Sequence, residues 1–509
     1  MPPRLVIVDG QQRLTSLYAV VKSEPVLNKN FKERKIRIAF HPKEERFEVT
    51  NPAIEQNPQW IPDISILWKP ESNIYQLIDD FLHRLRETRD ITEDEKNQII
   101  NAITRVERLL DYPVTALEVS SSADEEQVAE IFVRINSKGT PLNQADFILT
   151  LMSVFWDDGR KELEEFCQRA QKPAAPNEPS PYNAYLQPTP DQLLRVGVAL
   201  GFRRAQLEYV YSLLRGKDLQ TLEFSAEQRE RQFAVLRQAQ AYTLDLQHWH
   251  EFFKVLRRAG YPSGRLITSQ MSVLFTYALW LIGKRDFNVD LFELRELMAR
   301  WFFMASLTGR YTASPESRME QDMALLRGLG TPEEFVKRLD AEIDAILTPD
   351  YWEVTLPNQL QTAAARSTGQ SAYFAALCLL EAPVLYSKMK VEELLAPVGR
   401  AKKTPIERHH LFPRKYLQQI GVKDEGAIRQ VANFALVEWS DNVAISDRPP
   451  REYVPELERR FTEEELERMY KLHALPERWY EMEYEEFLKE RRRRIAEVIR
   501  QGFAVLRST

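Results

Sequence analysis

The stretch "VIVDGQQRLTSL", residues 6–17, reads as a strand, a tight turn and a helix. Leu5 to Val8 are aliphatic or β-branched, Asp9-Gly10 is a turn dipeptide, and Leu14, Leu17, Tyr18 and Val21 recur at i, i+3, i+4 and i+7. The turn therefore falls at a helix N-terminus, where the first backbone N–H groups lack intrahelical partners and the helix dipole favours an anion. A phosphate is expected beside Arg13, with Gln11, Gln12 and Thr15 as further donors. The competing reading is that Asp9 only caps the helix. The glycines of a P-loop or a dinucleotide fingerprint are absent.

Outward from this junction, the chain has 509 residues, enough for two to four domains at roughly 150 residues each. Its formal net charge of -6 excludes a bulk electrostatic grip on nucleic acid, so any such binding must use local basic patches. Two cysteines, Cys167 and Cys378, can build neither a disulfide framework nor a zinc site alone, and they fit a reducing cytoplasm. The most apolar run, Met271 to Gly283, contains Ser and Thr and falls short of the roughly 18 residues of a membrane span. It is expected to be a buried helix, and no membrane partner is expected.

An α/β start gives way to helices. "RKIRIAFHPKEERFEVT", 34–50, alternates like a hairpin, and Tyr112 to Val119 resemble another strand. "EEQVAEIFVRINSKGTPLNQADFILTLMSVFW" then predicts a helix to about Ile135, a polar loop Asn136 to Thr140 stopped at Gly139, and a second helix from about Asn143. Residues 172–190, "KPAAPNEPSPYNAYLQPTP", are the best linker candidate. Helices dominate from there to about 345. Ser225-x-x-Gln228 starts a long amphipathic run that stops at Gly260, and Thr331-Pro332-x-Glu334 opens another helix.

Seven histidines are spread over the chain, two of them adjacent in "TPIERHHLFPRKYL", 404–417. Downstream lie Asn433 in "VANFALVEW" and Asn442 in "SDNVAISDRPP", at intervals of 23 and 9 residues after His410. This series suits a small metal-dependent nuclease site: one side chain binds a divalent ion, a neighbouring imidazole deprotonates water, and a polar side chain holds the loop between them. Oxygen and imidazole donors without nearby thiolates imply an Mg²⁺-like ion on one or two protein ligands.

The quartet resembles the HNH, or His-Me finger, nucleases. By that resemblance His410 is the general base, His409 and Asn442 the metal ligands, and Asn433 the loop-fastening asparagine of the catalytic constellation, while His410-Leu-Phe-Pro matches the family's turn. "VDGQQRLTSL" with "FVRINSKGTPLNQAD" is similar to the N-terminal domain of GmrSD-type modification-dependent restriction endonucleases, a ParB-like fold whose Asp-Gly-Gln-Gln-Arg motif serves nucleotide binding and hydrolysis. The resemblance implies a nucleoside triphosphate site at Asp9, Gly10, Gln11, Gln12, Arg13 and Thr15, with Arg134, Asn136 and Lys138 brought near it. Eight residues precede the motif here where family members have several dozen, so the opening strands and helix of that domain are expected to be absent from this chain.

The expected fold is thus predominantly helical α+β. It comprises a partial ParB-like α/β domain over 1–171, a linker over 172–190, an all-α domain over 191–390 and a ββα-metal nuclease domain over 391–509. The implied function is a nucleotide-regulated, Mg²⁺- or Mn²⁺-dependent endonuclease, with an accompanying NTPase activity, acting in the cytoplasm on modified or foreign DNA in phage defence. The alternative is a nucleotide-dependent DNA sensor or adaptor that does not cut. One HNH site cuts one strand, so a homodimer would supply the second cut. Arg400, Lys402, Lys403 and Arg414 are expected to contact DNA phosphates. Arg491 to Arg494 are expected to be a solvated charged face, Arg310 to lie in a plain interhelical loop, and His248-Trp-His250 to serve packing.

Overall fold

A computed structural model describes residues 10–28, 31–116, 118–119, 131, 144–175, 178–218, 220–364, 366–396 and 406–508. The fold is 63% helical with only small sheets. It divides into two compact units, Met1–Leu142 and Asn143–Thr509.

In the first unit, α1 (Gln11–Lys22) follows Gly10, whose φ of 87° lies in the left-handed region open to glycine. Two antiparallel hairpins come next: β1 (Val26–Leu27) with β2 (Glu33–Arg34), and β3 (Ile38–His41) with β4 (Arg46–Val49). The second is the hairpin that the alternation over 34–50 predicts. After α2 (Pro52–Gln56), α3 (Ile74–Arg86) is capped by the Asn73 side chain and α4 (Glu93–Glu107) by that of Thr92. Their apolar faces, among them Ile78, Phe81, Leu85, Ile99 and Ile103, close over Phe40 and Ile61 as one core. The strand expected at Tyr112 to Val119 is not formed over the described residues 112–116 and 118–119. Tyr112 and Val114 are exposed there, so the β-branched pattern has no core to face.

The second unit begins with α5 (Gln144–Phe155), where the second helix of the 125–156 stretch is expected, and α6 (Asp157–Arg169). Then come α7 (Pro190–Phe202), α8 (Leu207–Leu214), α9 (Ala226–Thr243) and α10 (Leu246–Arg258). The run from Ser225 to Gly260 is two helices rather than one. The Asp245 carboxylate accepts from the amides of Gln247 at 2.8 Å and His248 at 3.0 Å, which starts a new helix where the old one ends. The segment 172–190 is not a free tether in its described part. The Trp249 indole donates to the Pro181 carbonyl at 2.8 Å, and the Tyr185 ring stacks on Phe253 with centroids 5.1 Å apart.

At the centre lies α11 (Gln270–Arg285), buried at every position from Ser272 to Gly283 as its composition predicts, beside α12 (Leu291–Thr308). Around them stand α13 (Pro315–Leu325), α14 (Pro332–Ile346) and α15 (Thr368–Leu379). Thr331 and Glu334 form the capping box read from the sequence. The chain closes with β5 (Ile406–His410), α16 (Arg414–Gln419), β6 (Phe434–Glu438), α17 (Trp439–Ile445), α18 (Pro450–Glu458), α19 (Glu463–Leu472) and the 22-residue α20 (Tyr484–Val505). Gly502 lets α20 lie against α15, since a Cβ there would stand 2.6 Å from the Cβ of Ala376.

Candidate active site

The histidine pair ends a strand that is paired antiparallel over its whole length. Ile406 faces Glu438, His409 faces Ala435 and His410 faces Phe434, and α17 follows β6 directly. A two-stranded hairpin of this size is marginal alone in water. Its outer edge is extended, because the Leu385 amide donates to the Leu436 carbonyl at 3.2 Å.

After His410 the chain must turn sharply into Pro413, and Asn433 holds that turn. Fully buried at 0% exposure, its side-chain oxygen accepts from the Phe412 amide at 2.9 Å. Its amide nitrogen donates to the carbonyls of Phe412 at 3.1 Å and Ile428 at 3.0 Å. Its own carbonyl accepts from the Leu411 amide at 2.8 Å. The Tyr453 hydroxyl donates to the Leu411 carbonyl at 2.6 Å. Asn433 thus fastens the loop with every polar atom of its side chain engaged; its place is beneath the histidines, as a brace.

Successive strand residues face opposite sides, so the two imidazoles have different surroundings. His409 points at α17, its Nδ1 2.9 Å from Asn442 Oδ1, and its ring meets Tyr453 edge-on at 5.8 Å. With the amide oxygen accepting, the proton sits on Nδ1 and Nε2 presents a lone pair. Burial pushes the His409 pKa down to about 4 against the help of Asn442, so the ring is neutral near pH 7. His410 lies against Phe434 at 4.4 Å. Its pKa is also lowered, first by burial and then by the charges of Arg429 and Arg414, with Glu425 opposing. Among the described residues, Nε2 of each histidine is buried without a hydrogen-bond partner. The lone pair of His409 Nε2 is the feature a cation would satisfy, and the Nε2 of His410 is a second ring nitrogen that a reacting water would satisfy.

The residues round the pair include some that the sequence did not single out. Arg414 ion-pairs with Glu425 at 2.5 Å, and Arg429 reaches the same carboxylate at 3.3 Å, which sets two guanidiniums near His410. Arg491 is the larger correction to the expected solvated face. It is fully buried, and its guanidinium donates to the carbonyls of Ala432 at 2.6 Å, Phe434 at 2.9 Å and His473 at 3.2 Å. Arg492 donates to Gln430 at 2.7 Å, while Arg493 and Arg494 pair with Glu490 on the surface. The available signal was period, not composition: Phe487, Arg491, Ile495 and Ile499 lie four apart on one face.

Among the other expected residues, Gly10 caps α1, and Gln12, Arg13 and Thr15 are exposed on its first turn, which no side chain caps among the described residues. Asp9, Arg134, Asn136, Lys138, Arg400, Lys402 and Lys403 lie outside the described residues, as does the side chain of Gln11. Arg310 is a buried strut over the Trp301 ring, ion-paired with Asp322 and with Glu342 at 2.8 Å. His248 and His250 approach the carbonyls of Tyr242 and Ser180 at 3.2 and 2.7 Å. Cys167 and Cys378 are buried, and burial pushes their thiols up, which disfavours the reactive thiolate.

Among the described residues no group of three or more His, Cys, Asp or Glu side chains converges as a cation site, and no helix is long and apolar enough to cross a membrane. No curated protein matches the chain. Residues 2–153, by contrast, match the family model described as "GmrSD restriction endonuclease, N-terminal domain". With less than a third of the chain covered, the finding is a similarity of residues 2–153 to the N-terminal domain of the GmrSD restriction endonucleases, a family that implies DNA as a partner.

Proposed function

We propose that the chain is a metal-dependent DNA endonuclease of the HNH type, its centre formed by His409 and His410 on β5 and Asn442 on α17, the helix that follows β6. The observation that carries this reading is the strand-strand-helix unit in which His409 and Asn442 stand 2.9 Å apart and His410 ends the same strand. His409 would hold a divalent ion through its buried Nε2, which has no partner among the described residues, while Asn442, whose Oδ1 meets the opposite ring nitrogen, orients the imidazole and would reach the ion only by giving up that contact. When bound, the ion supplies Lewis-acid polarisation of the scissile phosphate and charge compensation for the leaving oxygen.

The chain's own groups do the rest. His410, neutral near pH 7 because burial and two guanidiniums lower its pKa, takes a proton from water. The water oxygen bonds to phosphorus, and the bond from phosphorus to the departing 3′-oxygen breaks. Arg414 and Arg429 favour the polyanion beside the histidine. Asn433 keeps the His410–Pro413 turn from shifting as charge develops.

The N-terminal portion adds regulation. Gly10, Gln12, Arg13 and Thr15, at the start of a helix that no side chain caps among the described residues, support binding of a nucleoside triphosphate there, coupled to recognition of modified or foreign DNA. A second copy of the chain would deliver the cut in the opposite strand.

Plasmid nicking with Mg²⁺ or Mn²⁺, with and without added nucleotide, tests the proposal. His410→Ala should abolish nicking and leave DNA binding within about twofold. Full nicking by that variant would remove His410 from the mechanism, and DNA binding without nicking by the wild type would favour a non-cleaving sensor.

A further inference from the structure

A buried guanidinium ordinarily finds a carboxylate, because an unpaired charge in the interior is costly. Beside the Tyr373 side chain, Arg491 instead donates to three backbone carbonyls: Ala432 at 2.6 Å, Phe434 at 2.9 Å, and His473 at 3.2 Å through Nη2 and 3.4 Å through Nε. The first two belong to the residues on either side of Asn433. The guanidinium also sits 5.9 Å from the Phe487 ring, one helical turn back along α20. We infer that Arg491 is a positioning residue of the nuclease centre: from the last helix it clamps the backbone on both sides of Asn433, and so sets the turn on which His410 stands.

The linkage is continuous and short. Arg491 fixes the carbonyls of 432 and 434, Asn433 between them fixes the amides of Leu411 and Phe412, and those residues follow His410 directly. Phe434 is also the register partner and ring neighbour of His410. A guanidinium suits the task because its planar fork donates to two carbonyls in fixed directions, while an ammonium is a point charge on a flexible stem. α20 packs closely on α15, where Gly502 passes over Ala376. The clamp therefore ties the catalytic turn to the helical core, where displacement of a reacting group by about 1 Å can cost ~10²-fold in rate.

The inference rests on the nuclease reading, and its test has an arm that does not. Arg491→Lys and Arg491→Met are compared with the wild type by hydrogen exchange at the Leu411 and Phe412 amides, with amides of α11 as the global control. Exchange at the two turn amides should rise at least ~10-fold in both variants while α11 stays protected. In plasmid nicking at saturating metal, kcat should fall about 10- to 100-fold with KM for DNA unchanged within about twofold. Arg491→Lys, which keeps charge and bulk, guards against a result from misfolding alone. Wild-type exchange at Leu411 and Phe412 in Arg491→Lys, or a fall confined to KM, overturns the clamp. A wild-type protein that never nicks overturns the nuclease reading and leaves the exchange result to decide the clamp.

Discussion

Asn433→Ala removes the side chain that holds the turn after His410, and its cost follows from the groups it strands. Three backbone partners lose their hydrogen bonds: the Phe412 N–H at 2.9 Å, the Phe412 carbonyl at 3.1 Å and the Ile428 carbonyl at 3.0 Å. Phe412 and Ile428 are both buried, so water does not simply replace the lost partner. Each stranded buried group costs ~1–3 kcal/mol, which gives a loss of at least about 3 kcal/mol from three. Asn433→Asp separates the roles of the amide. It keeps an acceptor for the Phe412 N–H but turns a carboxylate towards two carbonyls, so it should lose at least as much. Urea unfolding near neutral pH measures both losses, and exchange of the Phe412 amide should quicken by about 10²-fold, the rate equivalent of ~3 kcal/mol. Stability within ~0.5 kcal/mol of wild type in both variants would refute the brace. An alanine variant of native stability that no longer nicks DNA would show instead that Asn433 acts on the substrate.

Two further outcomes follow from buried charge. Asp322 is fully buried against Arg310 and accepts the Tyr311 hydroxyl at 2.6 Å, so Asp322→Asn should cost about 3 kcal/mol in urea unfolding, and a loss under ~1 kcal/mol would refute its role as counter-ion. Burial, helped by the nearby Arg491 charge, pushes His473 down from 6.5 to about 4, while its contact with the Pro383 carbonyl opposes the shift. The unfolded chain protonates this histidine first, so its contribution is intact above pH 6.5, shrinks as pH falls to 4 and is then flat. The gap of about 2.5 pH units is worth ~3 kcal/mol. Stability of His473→Gln should accordingly fall less steeply than that of wild type between pH 6.5 and 4, and parallel slopes would refute the buried neutral state.

The parts of the fold legible in the sequence are those set by local rules. The left-handed Gly10 before α1, the Thr331–Glu334 capping box and the all-buried α11 each follow from a handful of adjacent residues. Of the proposed site, the sequence offers two histidines and two asparagines spaced as in the resemblance to HNH nucleases, and the fold brings His409 to 2.9 Å from Asn442. What was not legible depends on partners distant in sequence. A Pro-rich stretch looks like a tether until Trp249 and Phe253 engage Pro181 and Tyr185. Four arginines look solvated until helical period puts the first of them on the face of Phe487 and Ile495. Asp245 divides a run of helix formers because its carboxylate serves the next helix's amides better than its own residue continues the last.

The same distant partners explain why the histidine hairpin belongs to a large helical unit. Five residue pairs and a seven-residue helix bury too little apolar surface to fix two imidazoles on their own. Every described brace on the turn comes from outside the hairpin strands. Leu385 extends the edge of β6, the Thr362 carbonyl accepts from the Val431 amide at 3.0 Å, Tyr453 holds Leu411, and Arg491 holds the backbone beside Asn433. These residues span 362 to 491 and lie in one compact unit. The geometry at His410 is therefore set by the helical core as much as by the motif. A change at the contact of Gly502 with Ala376, which touches no reacting atom, would reach His410 by moving α20 and the guanidinium it carries.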